Sequence, residues 1–234
     1  MSAQDTQFRI PDVIGKDIAR ALENEIVFCD ILPDTRLTEE DIVKKFGVSR
    51  SPVREALRIL KQEGLIVMAS RRGARIAPVS VDDLDEVYRC RICLEVLAAE
   101  LAATNRNSDD VEAMKAGLKE LQTALPSKNP RLFFEANVHL TDAIHQSTHN
   151  ATLKRLLDNI GKQALRYRYL AYARSPELMD KSVEYNREIV SAIISQKPRH
   201  AQSLTEDVLE SSWENVRARI DAFGGDLPAA ANAP

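Results

Sequence analysis

Basic side chains are concentrated in one short part of this sequence, and their spacing suits contact with the phosphates and bases of nucleic acid. From Lys44 to Arg75 there are nine basic and two acidic residues, a net charge of +7, although the 234-residue chain as a whole carries a formal charge of −3. Phosphate neutralisation dominates the affinity of proteins for DNA. A local basic surface on an acidic chain is therefore typical of a site-specific DNA-binding protein. The alternative is a solvated basic face without a partner.

The residues around this segment predict the helices that hold it. Thr38 followed three residues later by Asp41 is a variant of the capping box, and Gly47 ends the helix that begins there. Ser51 is expected to cap a second helix with Pro52 at its first position, where the missing N–H has no intrahelical partner in any case. Basic side chains therefore stand at the start of the second helix.

A basic β-hairpin is predicted after the second helix. Gly64 ends that helix, and two short apolar strands follow with Arg71, Arg72 and Gly73 at the turn between them. Two helices followed by a hairpin with a basic tip are the elements of a winged helix-turn-helix, whose second helix enters the major groove of DNA.

The remainder of the chain predicts a helical bundle. Six amphipathic patterns and no credible strand follow the hairpin, with starts at Ser80, Ser108, Pro130, Asn150, Ser175 and Pro198. We therefore expect a mainly α protein. It has a winged helix-turn-helix with a small β-hairpin wing in residues 1–78, a six-helix bundle in residues 79–223, and a short disordered tail in residues 224–234. A bundle of this size exceeds what DNA binding requires.

Polar residues interrupt the apolar stripes of these bundle helices. An arginine at such a position must be paired or must face a cavity if it is buried. A boundary position or a satisfied core hydrogen bond is the better explanation of any single one of these residues. Several of them on separate helices of one bundle, however, predict an internal polar pocket. The pocket residues expected are Arg91, Asn137, Thr141, Asn186 and Asp207, with His145 at the rim, one turn after Thr141.

Histidines with the spacing of metal ligands provide the alternative function. His145 and His149 lie four residues apart, with His139 and Asp142 nearby, so a metal-dependent enzyme domain fused to a DNA-binding module competes with the pocket. No HExxH motif, nucleophile motif or glycine-rich phosphate loop accompanies them. We therefore expect no metal at His139, His145 and His149 and no catalytic residues. A plain architectural DNA-binding protein is a third class, but it does not need the second domain.

Cysteine content and hydropathy bear on the compartment. The three cysteines cannot form a disulfide framework, and Cys90 and Cys93 have CxxC spacing inside a helical pattern without a second pair. The N-terminus lacks an apolar run, and no later stretch approaches the length of a membrane span. We expect a cytoplasmic protein with no membrane partner.

Two stretches of the chain resemble a known family. RLTEEDIVKKFGVSRSPVREALRILKQEGLI, followed by RRGARIAPVS, closely resembles the GntR family of bacterial transcription regulators. RCRICLEVLAAELAA and HLTDAIHQSTHNATL resemble the FCD effector domain of its FadR-type subfamily. The resemblance implies a homodimeric regulator, most often a repressor, that binds a palindromic operator in double-stranded DNA and is released or modulated by a small metabolite, often a carboxylate.

The resemblance also assigns roles to residues. It implies that Arg50 and Arg54 contact operator bases or adjacent phosphates, that Ser49 and Ser51 contact phosphates, and that Gly73 lets the wing approach the minor groove. The DNA-binding residues expected are Lys45, Ser49, Arg50, Ser51, Arg54, Arg71, Arg72 and Gly73.

One departure from the family concerns a metal. Many FCD domains hold a divalent metal through an Asp, a His four residues later, and one His on each of two later helices. Those positions fall here at Asn137, Thr141, Asn186 and Asp207 or its neighbour Val208. Neutral amides and hydroxyls are poor ligands for zinc or nickel. We therefore predict that the bundle lacks the metal and binds a small organic acid directly, with the planar fork of Arg91 as the anion clamp.

Overall fold

The computed structural model describes residues 11–69 and 73–222, which divide into two units at the junction of Pro78 and Val79. The first unit is the predicted winged helix-turn-helix. Its elements in chain order are α1 (Pro11–Val27), β1 (Arg36–Leu37), α2 (Glu39–Phe46), α3 (Arg50–Gln62), β2 (Ile66–Ala69) and β3 (Gly73–Ile76). Apolar side chains of all three helices and of the sheet form its core, among them Leu22, Ile26, Ile42, Val53, Leu60, Leu65 and Ile76.

The start of α2 is as predicted, whereas the start of α3 is not. The Thr38 hydroxyl accepts a hydrogen bond from the Asp41 N–H at 3.1 Å, and Gly47 closes α2 in the left-handed conformation. The expectation that Ser51 caps α3 was wrong, because the N-cap is Ser49, whose side chain makes no capping bond. The first four N–H groups of a helix lack partners, so Pro52 is tolerated anywhere in the first turn and does not mark its first residue.

The wing belongs to a three-stranded antiparallel sheet with the order β1-β3-β2. Val67 pairs with Arg75 in the hairpin, and Leu37 pairs with Ala74 on the other side of β3. Sequence reasoning missed β1, because two residues are too short for any alternation of apolar and polar side chains.

The second unit contains the six predicted helices, each beginning within two residues of the predicted start. They are α4 (Val81–Asn105), α5 (Ser108–Ala124), α6 (Pro130–Gln146), α7 (Ala151–Arg174), α8 (Glu177–Ile194) and α9 (Pro198–Ala222). Side chains mark these ends, since Ser80 caps α4 and Asn150 caps α7, while α5 is capped by Asn107 in a full capping box with Asp110. No helix within residues 11–69 and 73–222 is long and apolar enough to cross a membrane.

Helix α4 lies at the centre of the bundle and packs against α9 and α7. Its buried face includes Leu84, Tyr88, Arg91 and Ala98, so the arginine that interrupts the predicted stripe is indeed inside the protein. Most of the remaining core is formed by α5, α6 and α8. A charged group on the buried face of the central helix requires a polar environment around it.

The close packing of α5 on α6 leads to a stability prediction. A methyl group at Gly117 would meet the Leu140 Cα at 3.0 Å, whereas a methyl group at Gly161 meets nothing within 4 Å. We expect Gly117→Ala to lower the free energy of unfolding by about 1–3 kcal/mol through overpacking. Gly161→Ala is the matched control and should raise it by up to about 1 kcal/mol through helix propensity. Urea unfolding of both variants provides the measurement, and a stabilised Gly117→Ala protein contradicts the packing argument.

Candidate nucleic-acid interface and effector cavity

The start of α3 presents polar and basic side chains to solvent. Ser49, Arg50, Ser51 and Arg54 are all exposed, while Val53 and Leu60 of the same helix are buried in the core. The helix is therefore anchored along one side and free along the other. An exposed helix start of this kind can place side chains against base edges and phosphates.

Acidic side chains hold two of the expected DNA-binding residues in place. The Arg54 Nε donates to both carboxylate oxygens of Glu39, at 2.9 and 3.1 Å, and the exposed Lys45 forms an ion pair with Glu25. Because the Glu39 bonds use Nε, they restrict the orientation of Arg54 while its charged end stays at the surface. Sequence reasoning did not identify Glu39, which lies 15 residues from Arg54.

The wing is described only in part. Arg71 and Arg72 lie outside the described residues. Gly73 begins β3 with a φ of 83°, a conformation that residues other than glycine rarely adopt. This backbone conformation explains why the residue at the start of β3 is a glycine.

The bundle contains a partly open cavity of about 140 Å³ between α4 and the helices α6 to α9. Four of the six expected pocket residues line it: Arg91, Asn137, Thr141 and Asn186. Two do not. Asp207 is exposed on α9, and the prediction that it lines the pocket was wrong, because the α9 face that turns inward carries Thr205, Val208 and Leu209. His145 is buried but lies behind the wall, where its Nε2 is 2.7 Å from Glu95 Oε2.

Arg168 of α7 is the main residue of the cavity that the sequence reasoning missed. Its guanidinium is buried, donates to the Asn137 Oδ1 at 2.5 Å and lies 3.5 Å from the Thr141 hydroxyl. Within the described residues no carboxylate lies within ion-pair distance of it. Burial and the like charge of Arg91 lower the pKa of Arg168. The sequence contained a signal for Arg168, because this arginine stands between Ala164 and Ala171 on the apolar stripe of α7. Arg91 interrupts the apolar stripe of α4 in the same way.

Arg91, by contrast, has an acidic partner. Its Nε is 3.3 Å from Glu95 Oε1, one turn later on α4, and its guanidinium lies over the ring of Tyr88. Burial by itself would raise the pKa of Glu95, but His145, Arg91 and Arg168 outweigh burial and hold that pKa well below its usual range. The cavity wall therefore contains an ionised carboxylate that contacts both Arg91 and His145.

The rest of the cavity wall combines a hydroxyl cluster with apolar side chains. Ser182 receives hydrogen bonds from the amides of Asn137 (3.4 Å) and Asn186 (3.2 Å), and its hydroxyl is 2.9 Å from that of Tyr172. Burial is the main reason that the pKa of Tyr172 is raised. Ile144, Ile189 and Leu209 are among the apolar lining residues. Such a wall suits a ligand with a polar end and an apolar body.

The cavity residues do not fit a divalent metal. Their neutral oxygens are weak ligands, and the Asn137 Oδ1 already accepts a bond from a guanidinium, where a metal would need a free lone pair. No three His, Cys, Asp or Glu side chains among the described residues are grouped as metal ligands. Three histidines pair separately with single carboxylates, His139 with Glu120, His145 with Glu95 and His149 with Asp110. Cys90 and Cys93 are exposed free thiols.

Comparisons with known proteins agree with both units. Residues 14–76 match the model for bacterial regulatory proteins of the gntR family, and residues 86–211 match the FCD domain. The chain is 25% identical over 221 residues to the HTH-type transcriptional repressor RspR of Escherichia coli, covering 90% of this chain and 96% of RspR. It is 33% identical over 129 residues to the uncharacterized regulator YdhC of Bacillus subtilis, covering 55% of this chain and 58% of YdhC.

Solved structures agree on the fold. The structure of McbR/YncC from E. coli superposes with a TM-score of 0.78 at 19% identity, covering 88% of this chain and 98% of the other. A GntR regulator from Rhodococcus gives a TM-score of 0.74 at 20% identity, covering 87% and 97%.

The depressed pKa of Glu95 predicts how stability depends on pH. A carboxyl whose pKa is lower in the folded than in the unfolded protein stabilises the fold above its unfolded pKa, near 4.5, and this contribution is lost as the pH falls towards the folded value. Wild-type protein should therefore lose more stability between pH 6 and pH 3 than Glu95→Gln. Urea unfolding across this range tests the difference, with Glu100→Gln on the same helix as the control. Parallel curves for wild type and Glu95→Gln contradict it.

Proposed function

Because the chain belongs to the GntR family of bacterial transcription regulators, with an FCD effector domain, we propose that it binds a palindromic operator as a homodimer and that a small organic acid in the bundle cavity changes its affinity for DNA. The chain is a DNA-binding transcriptional regulator, and its relatives are regulators rather than enzymes. The proteins named RspR and the gluconate operon repressor of Bacillus licheniformis are both described as repressors, which supports repression here.

The observation that carries the effector proposal is Arg168. Arg168 feels the charge of Glu95 but has no carboxylate at ion-pair distance among the described residues, and a buried guanidinium in that position costs several kcal/mol of desolvation. An anion entering the cavity offsets that cost and can accept two parallel hydrogen bonds from the planar fork. Arg91 faces the same cavity. A cavity of about 140 Å³ is close in size to one that holds benzene, which supports an acid with a short carbon skeleton.

Direct binding of the acid without a metal is part of this proposal. Arg168 supplies a positive charge at Asn137 and Thr141, two of the positions that ligate metal in many FCD domains. A fixed guanidinium can hold a carboxylate without an intervening ion. Arg91, Asn137, Thr141 and Asn186 then complete the polar side of the site.

The operator contact is proposed for the exposed side of α3. Arg50 and Arg54 lie at its first turns, with the hydroxyls of Ser49 and Ser51 beside them for phosphate oxygens and Lys45 on the preceding helix. A pair of such helices in a symmetric dimer reads the two halves of a palindrome. An apolar face supports the dimer, since Leu97 on α4 and Leu156 on α7 are both more than 40% exposed on helices that pack together.

Loss of one arginine tests the DNA contact. Arg54→Ala should weaken binding to the preferred duplex by about 1–3 kcal/mol if Arg54 reads a base. Arg20→Ala removes an exposed arginine of α1 and is the matched control, with little expected change. Duplexes selected by the wild-type protein from a random pool provide the probe for mobility-shift titrations. An Arg54→Ala protein that binds the selected duplex as tightly as wild type contradicts the assignment.

Loss of the cavity arginines tests the effector site. Small carboxylic acids should raise the unfolding temperature of protein purified without added metal, whereas the corresponding neutral amides should not. Arg91→Ala and Arg168→Ala should abolish this effect because the anion loses its charge partners, while binding to the selected duplex in the absence of acid is retained. A thermal-shift screen measures the effect of the acids on the unfolding temperature, and elemental analysis of the same preparations measures their metal content.

One stoichiometric metal per protomer contradicts direct binding of the acid. An unchanged rise in unfolding temperature in both variants contradicts the role of the arginines as an anion clamp.

A further inference from the structure

The charged residues of the cavity do not balance one another. Four charged side chains line it, Arg91, Glu95, Arg168 and Lys181, and Lys181 is the exposed one. The buried side chains of the lining are therefore two guanidinium groups and one carboxylate, and His145 contacts that carboxylate from outside the lining. A surplus of positive charge among these groups is costly in the absence of ligand.

We propose that Glu95 is an internal counter-ion that makes the cavity select effectors with a single acidic group, a role that rests on the proposed organic-acid site. With Glu95 in place, one carboxylate completes the charge balance of the enclosed groups. A second acidic group finds no further buried cation in the lining to neutralise it. The remaining cation of the lining, Lys181, is exposed, so water screens its charge. Two acidic groups in one small cavity also repel each other more strongly than they do in water.

The contacts of Glu95 hold its charge at the cavity wall. One carboxylate oxygen accepts from the Arg91 Nε on its own helix, and the other is paired with His145 Nε2 from α6. Glu95 therefore occupies part of the donor edge of Arg91 and cannot turn away without losing one of the two bonds. Arg168 approaches the cavity from α7, with neutral oxygens as its partners, so it is the guanidinium left for the effector.

A role of Glu95 in merely orienting Arg91 makes a different prediction. Glu95→Gln keeps an oxygen for Arg91 and a polar group for His145 but removes the negative charge. If charge is what matters, the variant should bind anions more tightly, and a doubly charged anion should gain more than a singly charged one because the electrostatic energy scales with ligand charge. If orientation is what matters, the variant should bind both anions less tightly.

The experiment compares three probes with the same four-carbon chain: succinate, its monoamide succinamate and its diamide succinamide. Isothermal titration calorimetry on the full-length wild-type protein should show tighter binding of succinamate than of succinate. In Glu95→Gln the affinity for succinamate should rise by about tenfold, and that for succinate by about the square of this factor. Succinamide should not change. Glu100→Gln removes a carboxylate from the same helix outside the cavity and is the matched control. If Glu95→Gln does not fold, Glu95→Ala tests whether the affinity for both acids rises in the same direction.

The outcomes separate this role from the anion site on which it rests. Suppose that succinamate binds to the wild-type protein, and that folded Glu95→Gln and Glu95→Ala bind both acids no more tightly than wild type does. This result overturns the role of Glu95 and leaves the anion site in place. If neither succinamate nor succinate binds to the wild-type protein or to either variant at millimolar concentrations, the anion site and the role of Glu95 are both overturned.

Discussion

The cost of burying charge is the constraint on which the C-terminal bundle depends. Arg91, Glu95 and Arg168 come from two helices and meet at a cavity whose wall combines polar and apolar side chains. Each charged group requires a partner there, and the partners are supplied by side chains such as His145 and Asn137 on α6. Replacing a buried ion pair with well-packed apolar residues is often neutral or stabilising. The buried charges are therefore weak evidence for a role in stability, which agrees with the proposed ligand site.

The two units use charge in opposite ways. In the winged helix the basic residues of α3 stay at the surface, and an acidic neighbour such as Glu39 restrains the orientation of Arg54 without burying it. In the bundle Arg91 and Arg168 are buried, and the low dielectric of the interior strengthens their interactions. Surface arginines suit a long, solvated polyanion, whereas buried arginines suit a small anion that can be enclosed.

Helix α4 connects these two uses of charge along the chain. It carries Arg91 and Glu95 in the cavity wall, and only residues 77–80 separate its first residue from the last strand of the wing. The Ser80 cap and the contacts of Asp83 with Arg166 and Tyr167 secure the start of this helix within the bundle. In the proposed function, a ligand that contacts Arg91 would therefore contact the helix that directly follows the DNA-binding unit in the chain.

The features that the sequence alone predicted depend on interactions between residues close together in the chain. Caps such as Thr38 and Asn150, the 3.6-residue spacing of apolar side chains and the cluster of nine basic residues depend only on near neighbours in the chain. They therefore predicted the winged helix and the six helices of the bundle. The start of α3 at Ser49 was missed, because proline is equally acceptable at several positions of a first turn.

Only the tertiary structure decided which side chains meet. Arg168 and Asn137 are 31 residues apart, and Glu95 and His145 are 50 residues apart, so neither contact has a local signature. The rotation of α9 about its axis excluded Asp207 and brought Val208 to the cavity instead. Because the neighbouring residues of a helix point about 100° apart, a difference of one residue in register moves a side chain from solvent to the interior.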